Sequence, residues 1–157
     1  VCRMKTKKQL MGLISRYYSI WRTNNAAYEE WAKQHGLSFN SVMVLYSLHE
    51  ETDYCTQKTI SLKWSIPKQT VNMVLKDFEK KGYVTLEPMQ DDRRNKQLIP
   101  TLTGKAYAAR IISELHELEM SVLCDFGEER LSHMADDLEL FTNLFLAKSE
   151  QEKNGYV

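Results

Sequence analysis

Residues 56–96 constrain the fold of this 157-residue chain more than any other segment. They begin with a short helical run, pass through a Ser-Ile-Pro turn at 65–67, and continue into a longer helical run that ends near Gly82. An apolar stretch at 83–86 and the charged sequence DDRRNK at 91–96 follow. The segment therefore predicts helix, tight turn, helix, strand, basic loop and strand.

This order is the layout of a winged helix-turn-helix, whose second helix enters the major groove of DNA. We expect Ser65 to cap that helix and Pro67 to occupy its first turn, where a missing N–H is tolerated. Apolar residues spaced by three and four positions predict its buried stripe, at Val71, Val74, Leu75 and Phe78.

The rest of the chain predicts a mainly α fold with a small β-hairpin wing. Apolar periodicity and caps predict long helices at about 5–34, 103–126 and 128–148, and shorter helices that start after Ser38 and Thr56. The hairpin strands are expected at 84–86 and 98–102, with the tip at 90–96. We expect one domain over 1–157, with a DNA-binding lobe at about 38–102 and dimerisation helices at about 5–34 and 103–150.

The charge distribution favours a nucleic-acid partner although the formal net charge is zero. Residues 1–53 carry a net charge of +2, residues 54–110 carry +6 and residues 111–157 carry −8. The basic excess coincides with the predicted reading segment, which would attract phosphate. No apolar run approaches the length of a membrane span, so we expect a cytoplasmic protein without membrane contact.

The chain resembles the MarR family of bacterial transcription regulators. The resemblance is carried by TQKTISLKWSIPKQTVN at 56–72, LKDFEKKGYV at 75–84, DRR at 92–94 and LT at 102–103. It implies a homodimer formed through the long terminal helices and bound to a pseudo-palindromic operator. The chain departs from the family where Met73 replaces a frequent arginine and Ala106 replaces a usual glycine.

The predicted DNA contacts lie on the second helix of the pair and on the wing. Amides such as Gln69 and Asn72 can pair with adenine, whereas Lys76 is placed for phosphate. Asp92 is expected to hold Arg94 at the wing tip, where arginine suits the minor groove. The full predicted DNA-binding set is Ser38, Thr56, Gln57, Lys68, Gln69, Thr70, Asn72, Met73, Lys76, Arg93, Arg94 and Lys96.

Two further features leave alternatives open. The aromatic residues of the first helix either line a small-molecule pocket or form core and dimer interface; they are Tyr17, Tyr18, Trp21, Tyr28 and Trp31. The three cysteines, Cys2, Cys55 and Cys124, are an odd and widely spaced set, which indicates reduced thiols and leaves a redox-sensing role as an alternative.

These observations predict a ligand-responsive, homodimeric, DNA-binding repressor. The alternatives are a winged-helix protein-interaction module without DNA binding, or a cysteine-based redox-sensing regulator. We expect no enzyme activity, no cofactor and no metal, because the sequence contains neither a catalytic constellation nor a metal-ligand spacing.

Overall fold

The structure, a computed structural model, describes residues 6–50, 55–88 and 96–154. Within these ranges it contains six helices and a two-stranded antiparallel sheet, which confirms the predicted fold class. The elements in chain order are α1 (Lys7–Gln34), α2 (Phe39–His49), α3 (Gln57–Trp64), α4 (Lys68–Lys80), β1 (Val84–Pro88), β2 (Lys96–Pro100), α5 (Leu102–Phe126) and α6 (Glu128–Asn154). Among the described helices, none combines the length and apolar composition needed to span a lipid bilayer.

Local capping sets the helix starts largely as predicted. Ser38 Oγ accepts a hydrogen bond from the Ser41 N–H at 3.1 Å, which caps α2. Thr56 caps α3 in a reciprocal capping box with Thr59. Gly36, which follows α1, has a φ of +70°, a conformation that glycine adopts without strain.

The chain forms two compact units, residues 1–112 and residues 113–157. In the first unit, α4 packs against α2, α3 and β1. The predicted stripe on α4 is confirmed, since its four apolar residues are all buried. The indole N–H of Trp64 donates to Ser47 Oγ at 2.7 Å, which ties α3 to α2.

The hairpin is shifted from its predicted position. β2 runs from Lys96 to Pro100 and not from 98 to 102, with Val84 opposite Pro100 and Pro88 opposite Lys96. The strand begins early because β1 continues to Pro88, which pairs with Lys96, and it ends at Pro100 because Thr101 caps α5. On its other side, the Leu98 N–H donates to the Cys55 carbonyl at 2.9 Å. Lys96, predicted at the tip, is therefore a strand residue, and the wing tip at 89–95 lies outside the described residues.

The start of α5 is packed tightly against the end of the α4–β1 connection. Thr101 Oγ1 donates to the Gly82 carbonyl at 2.7 Å and accepts from the Gly104 N–H at 3.0 Å, so it caps α5. A Cβ at position 104 would lie 1.8 Å from the Tyr83 carbonyl oxygen. Only glycine fits here, and the rings of Tyr83 and Tyr107 stack beside it at 4.5 Å.

The second unit contains the later part of α5 and all of α6. α6 extends to Asn154, six residues beyond its predicted end at 148. Along α6, apolar side chains spaced by four, three and four positions are exposed: Met134, Leu138, Phe141 and Phe145. α1 carries a second exposed apolar stripe with the same kind of spacing, formed by Leu10, Leu13, Tyr17 and Trp21.

Candidate nucleic-acid interface

The turn between α3 and α4 fixes the orientation of the two helices relative to each other. Ser65 ends α3 in a left-handed conformation, with φ 53° and ψ 33°. Ser61 Oγ donates to the Ile66 carbonyl at 2.7 Å, and the Ile66 N–H donates to the Ser61 carbonyl at 3.1 Å. The prediction that Ser65 caps α4 is wrong, because the bonds to Ser61 and the left-handed backbone place it as the C-cap of α3.

α4 consequently begins without a side-chain cap. Its N-cap residue is Pro67, one position before the helix, and not within the first turn as predicted. The Gln57 side-chain amide donates to the Lys68 carbonyl at 2.7 Å. This bond ties the first turn of α3 to the first residue of α4 and fixes the start of the helix.

The exposed face of α4 lies directly opposite its buried stripe. Residues spaced by four, three and four positions form this reading stripe: Gln69, Met73, Lys76 and Lys80, all exposed. At 100° per residue, the centre of the reading stripe is about 180° from the centre of the buried stripe. Asn72 and Thr70 flank the reading stripe and are half-buried, and Lys68 is exposed at the start of the helix. The face combines amides, cations and one apolar side chain.

α4 carries two acidic residues beside this face, Asp77 and Glu79, and Asp77 is paired with a lysine. Asp77 Oδ2 lies 2.6 Å from Lys81 Nζ, and this hydrogen bond raises the pKa of Lys81 above its usual value. The pair leaves Lys76 and Lys80 as the cations of the reading stripe, at the C-terminal half of α4. The stripe is therefore polar toward its start and positive toward its end.

Three predicted contact residues have structural roles in the described chain. Ser38 caps α2, Thr56 is buried and caps α3, and Gln57 holds the start of α4. The side chain of Thr56 is buried, which disfavours a DNA contact through it. The roles of Gln57 and Ser61 at the turn were not predicted, since no sequence pattern marks their bonds to residues eleven and five positions away.

The wing is anchored at its base. β2 carries the exposed Lys96, and its neighbour Gln97 forms an isolated antiparallel bridge with Thr56 at the start of α3. The remaining wing predictions, Asp92, Arg93 and Arg94, lie outside the described residues and stay predictions.

The predicted aromatic residues are spread along α1. Tyr17, Tyr18 and Trp21 are exposed, with the first two rings 5.7 Å apart. Further along the helix, Tyr28 packs on Phe39 at 5.2 Å and Trp31 packs on His35 at 4.1 Å. From position 17 to position 31 the helix rises by about 21 Å, so a single small molecule would reach only part of the set.

The cysteine environments differ. Cys55 is buried at the base of the wing, and desolvation raises the pKa of its thiol to about 11. Cys124 is exposed, and Cys2 lies outside the described residues. A buried thiol with a raised pKa has little thiolate at neutral pH, which disfavours Cys55 as an oxidant sensor. Within the described ranges, no group of three potential ligand residues is placed to hold a metal ion.

Comparisons with known proteins agree with this geometry. A sequence profile of the MarR family matches residues 35–95. The HTH-type transcriptional regulator SarZ of Staphylococcus epidermidis is 28% identical over 116 residues, which cover 73% of this chain and 75% of SarZ. These relatives are regulators of transcription and not enzymes.

Solved structures extend the similarity over almost the full length. NMB1585, a MarR family regulator from Neisseria meningitidis, is 33% identical, with a TM-score of 0.73 over 92% of this chain and 98% of that protein. MepR of S. aureus, solved in complex with DNA, has the same fold at 20% identity, with a TM-score of 0.66 over 89% of this chain and 98% of MepR.

Proposed function

Because the chain belongs to the MarR family of transcription regulators, we propose that it represses transcription in the bacterial cytoplasm by binding operator DNA as a homodimer. In this proposal α4 of each subunit enters the major groove and the wing follows the neighbouring backbone. Two copies related by a two-fold axis would read half-sites one helical turn apart, about 34–36 Å. A small-molecule inducer would lower operator affinity by shifting the protein toward a conformation that binds DNA poorly.

The main support for the proposal is that α4 has a buried apolar face and, directly opposite, an exposed polar face. One face is fully buried against the core, so the helix is held rigidly. The opposite face presents an amide near the start of the helix and two cations further along. A helix docked by its N-terminal half uses such amides on base edges and such cations on phosphates. MepR, which shares the fold, has been solved in complex with DNA, and this supports DNA binding as the function.

The reading stripe can be tested by separating specific from nonspecific affinity. Gln69→Ala or Asn72→Ala should weaken operator binding by roughly 1–3 kcal/mol and change random-duplex binding little, because base edges carry the sequence information. Lys76→Ala should weaken operator and random-duplex binding about equally, because phosphates carry no sequence information. The measurement is fluorescence anisotropy of labelled operator and random duplexes at fixed salt.

Lys33→Ala is the matched control for Lys76→Ala. It removes the same charge from an exposed position in the last turn of α1 and should leave both affinities nearly unchanged. If the operator-to-random ratio stays constant for Gln69 and Asn72 and falls only for Lys76, the assignment of this face is reversed.

The wing should contribute more to the overall affinity for DNA than to discrimination between DNA sequences. Replacing Arg93 and Arg94 together with alanine should weaken operator and random-DNA binding alike, and should flatten the salt dependence by roughly one unit per lost phosphate contact. The variant that replaces Lys7 and Lys8 with alanine removes two cations from the start of α1 and serves as the control. Unchanged affinity in the Arg93/Arg94 variant would exclude the wing from the interface.

A protein-interaction module that has lost DNA binding is the second candidate. It is favoured by the zero formal net charge and by the apolar Met73 at the centre of the reading stripe. Titration of random duplex at several salt concentrations distinguishes the two functions, because a DNA-binding protein loses affinity steeply as salt rises. Absence of measurable binding at low salt would favour the interaction module.

A further inference from the structure

Met73 is the apolar member of the reading stripe. It lies four positions after Gln69 and three before Lys76, and the residue is 61% exposed. Its direction is close to the centre of the face that points away from the core. Most of the residue is open to solvent, so its further burial would have to occur against a bound partner.

The major groove offers one apolar group that such a side chain would meet. Base edges present nitrogen and oxygen donors or acceptors, with the exception of the C5 methyl of thymine. Methionine is unbranched and flexible, so it adapts to a methyl group at the floor of the groove. The neighbouring amides of Gln69 and Asn72 suit adenine, whose pairing partner is thymine. An adenine read by either amide therefore brings a thymine methyl within the same stretch of groove.

We propose that Met73 reads the C5 methyl of a thymine and so selects A·T pairs at the centre of each half-site. The inference rests on the proposed DNA-binding function and specifies its sequence preference. Met73 would make no phosphate contact at the centre of the reading stripe, because its thioether carries no charge. Discrimination at this position comes from apolar contact, which is insensitive to salt.

The test uses the full-length protein and a duplex obtained by in vitro selection from a random library with the wild type. Each thymine of the selected half-site is replaced in turn by deoxyuridine, which removes only the C5 methyl. For the wild type, one replacement should lower affinity about fourfold, the effect of losing one buried methyl group. For Met73→Ala, the same replacement should change affinity less than about twofold, because methyl and side chain act as a coupled pair.

Leu62→Ala is the control for loss of an apolar side chain, because Leu62 is an exposed residue on α3. It should retain the wild-type response to deoxyuridine. Met73→Arg supplies a second measurement: it should raise affinity for random duplex and steepen the salt dependence by about one unit. Thermal unfolding of each variant should match the wild type, since the substituted positions are exposed.

The outcomes separate this inference from the function on which it rests. If the wild type selects no sequence and binds no duplex, the proposed function fails and the inference fails with it. If it binds a selected duplex but no deoxyuridine replacement lowers its affinity, DNA binding stands and the role of Met73 is refuted. The same refutation follows if Met73→Ala and the wild type respond equally to every replacement. A deoxyuridine response that is lost in Met73→Ala and kept in Leu62→Ala supports the proposal.

Discussion

Gly104→Ala should destabilise the fold by roughly 3 kcal/mol, at the upper end of the usual effect of overpacking. The added methyl would lie 1.8 Å from the Tyr83 carbonyl oxygen and 2.6 Å from its carbonyl carbon. Those atoms belong to the backbone, so no side-chain rotation relieves the overlap. The Thr101 N–H also donates to the same oxygen at 3.0 Å, which holds it in place.

The overlap outweighs the intrinsic gain from replacing glycine within a helix, which is at most about 1 kcal/mol. In a chain of this length, a loss of about 3 kcal/mol corresponds to a fall in Tm of about 10 °C. Circular dichroism during heating, at one protein concentration for all variants, measures the change. We expect a secondary loss of operator affinity, because α5 would move relative to the base of the wing.

Gly12→Ala is the matched control. Gly12 lies within α1, a Cβ there would meet nothing within 4 Å, and its direction is opposite to the exposed apolar stripe of that helix. The same substitution should therefore raise stability by up to about 1 kcal/mol. Equal effects of the two substitutions would contradict the close approach of α5 to Tyr83.

The parts of the fold that could be predicted from the sequence depend on local interactions. Helical periodicity identified the buried stripe of α4, since spacing alone determines which residues share a face. Ser38 and Thr56 were recognised as N-caps because a cap bonds a backbone N–H only three positions away. Periodicity, caps and turn residues also predicted the order of helices and hairpin, which the structure confirms. The resemblance to the MarR family is confirmed by the comparisons.

The errors arise where distant residues decide the local structure. Serine is favoured at N-caps, but Ser65 is held in the left-handed region by the bonds between Ser61 and Ile66. β2 ends at Pro100 because Thr101 caps α5 and bonds the Gly82 carbonyl, nineteen positions earlier in the chain. Periodicity carries no information about such pairs, and Leu102, predicted in a strand, is the first residue of α5.

In the candidate site too, features set by local spacing were predicted and those set by distant residues were not. The composition of the reading stripe on α4 follows from the sequence, because opposite faces of a helix are separated by known angles. The bond from Gln57 to the Lys68 carbonyl could be found only in the structure, and it adds positioning of the helix to the role predicted for Gln57. No role was predicted for Gly104, whereas the structure shows that a side chain at this position would overlap the Tyr83 backbone.

Leu10→Glu combined with Leu13→Glu should convert a dimer into monomers and weaken operator binding by at least about 100-fold. These two side chains are 54% and 48% exposed and belong to the apolar stripe of α1. A stripe of this size needs a covering surface in water, and pairing of identical subunits about a two-fold axis is the commonest arrangement. Carboxylates within that contact would be desolvated without partners.

The affinity loss follows from the geometry of two linked recognition helices. Once one α4 is bound, the second is held near its half-site at a high effective concentration, which is lost in a monomer. Sedimentation velocity gives the oligomeric state at micromolar concentration, and anisotropy gives the operator affinity. The wild-type Tm should also rise with protein concentration, as expected when folding and dimerisation are coupled.

Ser19→Glu controls for the added charge, because Ser19 is exposed on the side of α1 opposite the apolar stripe. This variant should remain dimeric and should bind operator within about threefold of the wild type, the modest effect expected of an exposed charge remote from the duplex. If the wild type sediments as an 18.4 kDa monomer at micromolar concentration, the homodimer is excluded. If the Leu10/Leu13 variant is monomeric but binds operator as tightly as the wild type, one subunit suffices and the two-helix arrangement is wrong.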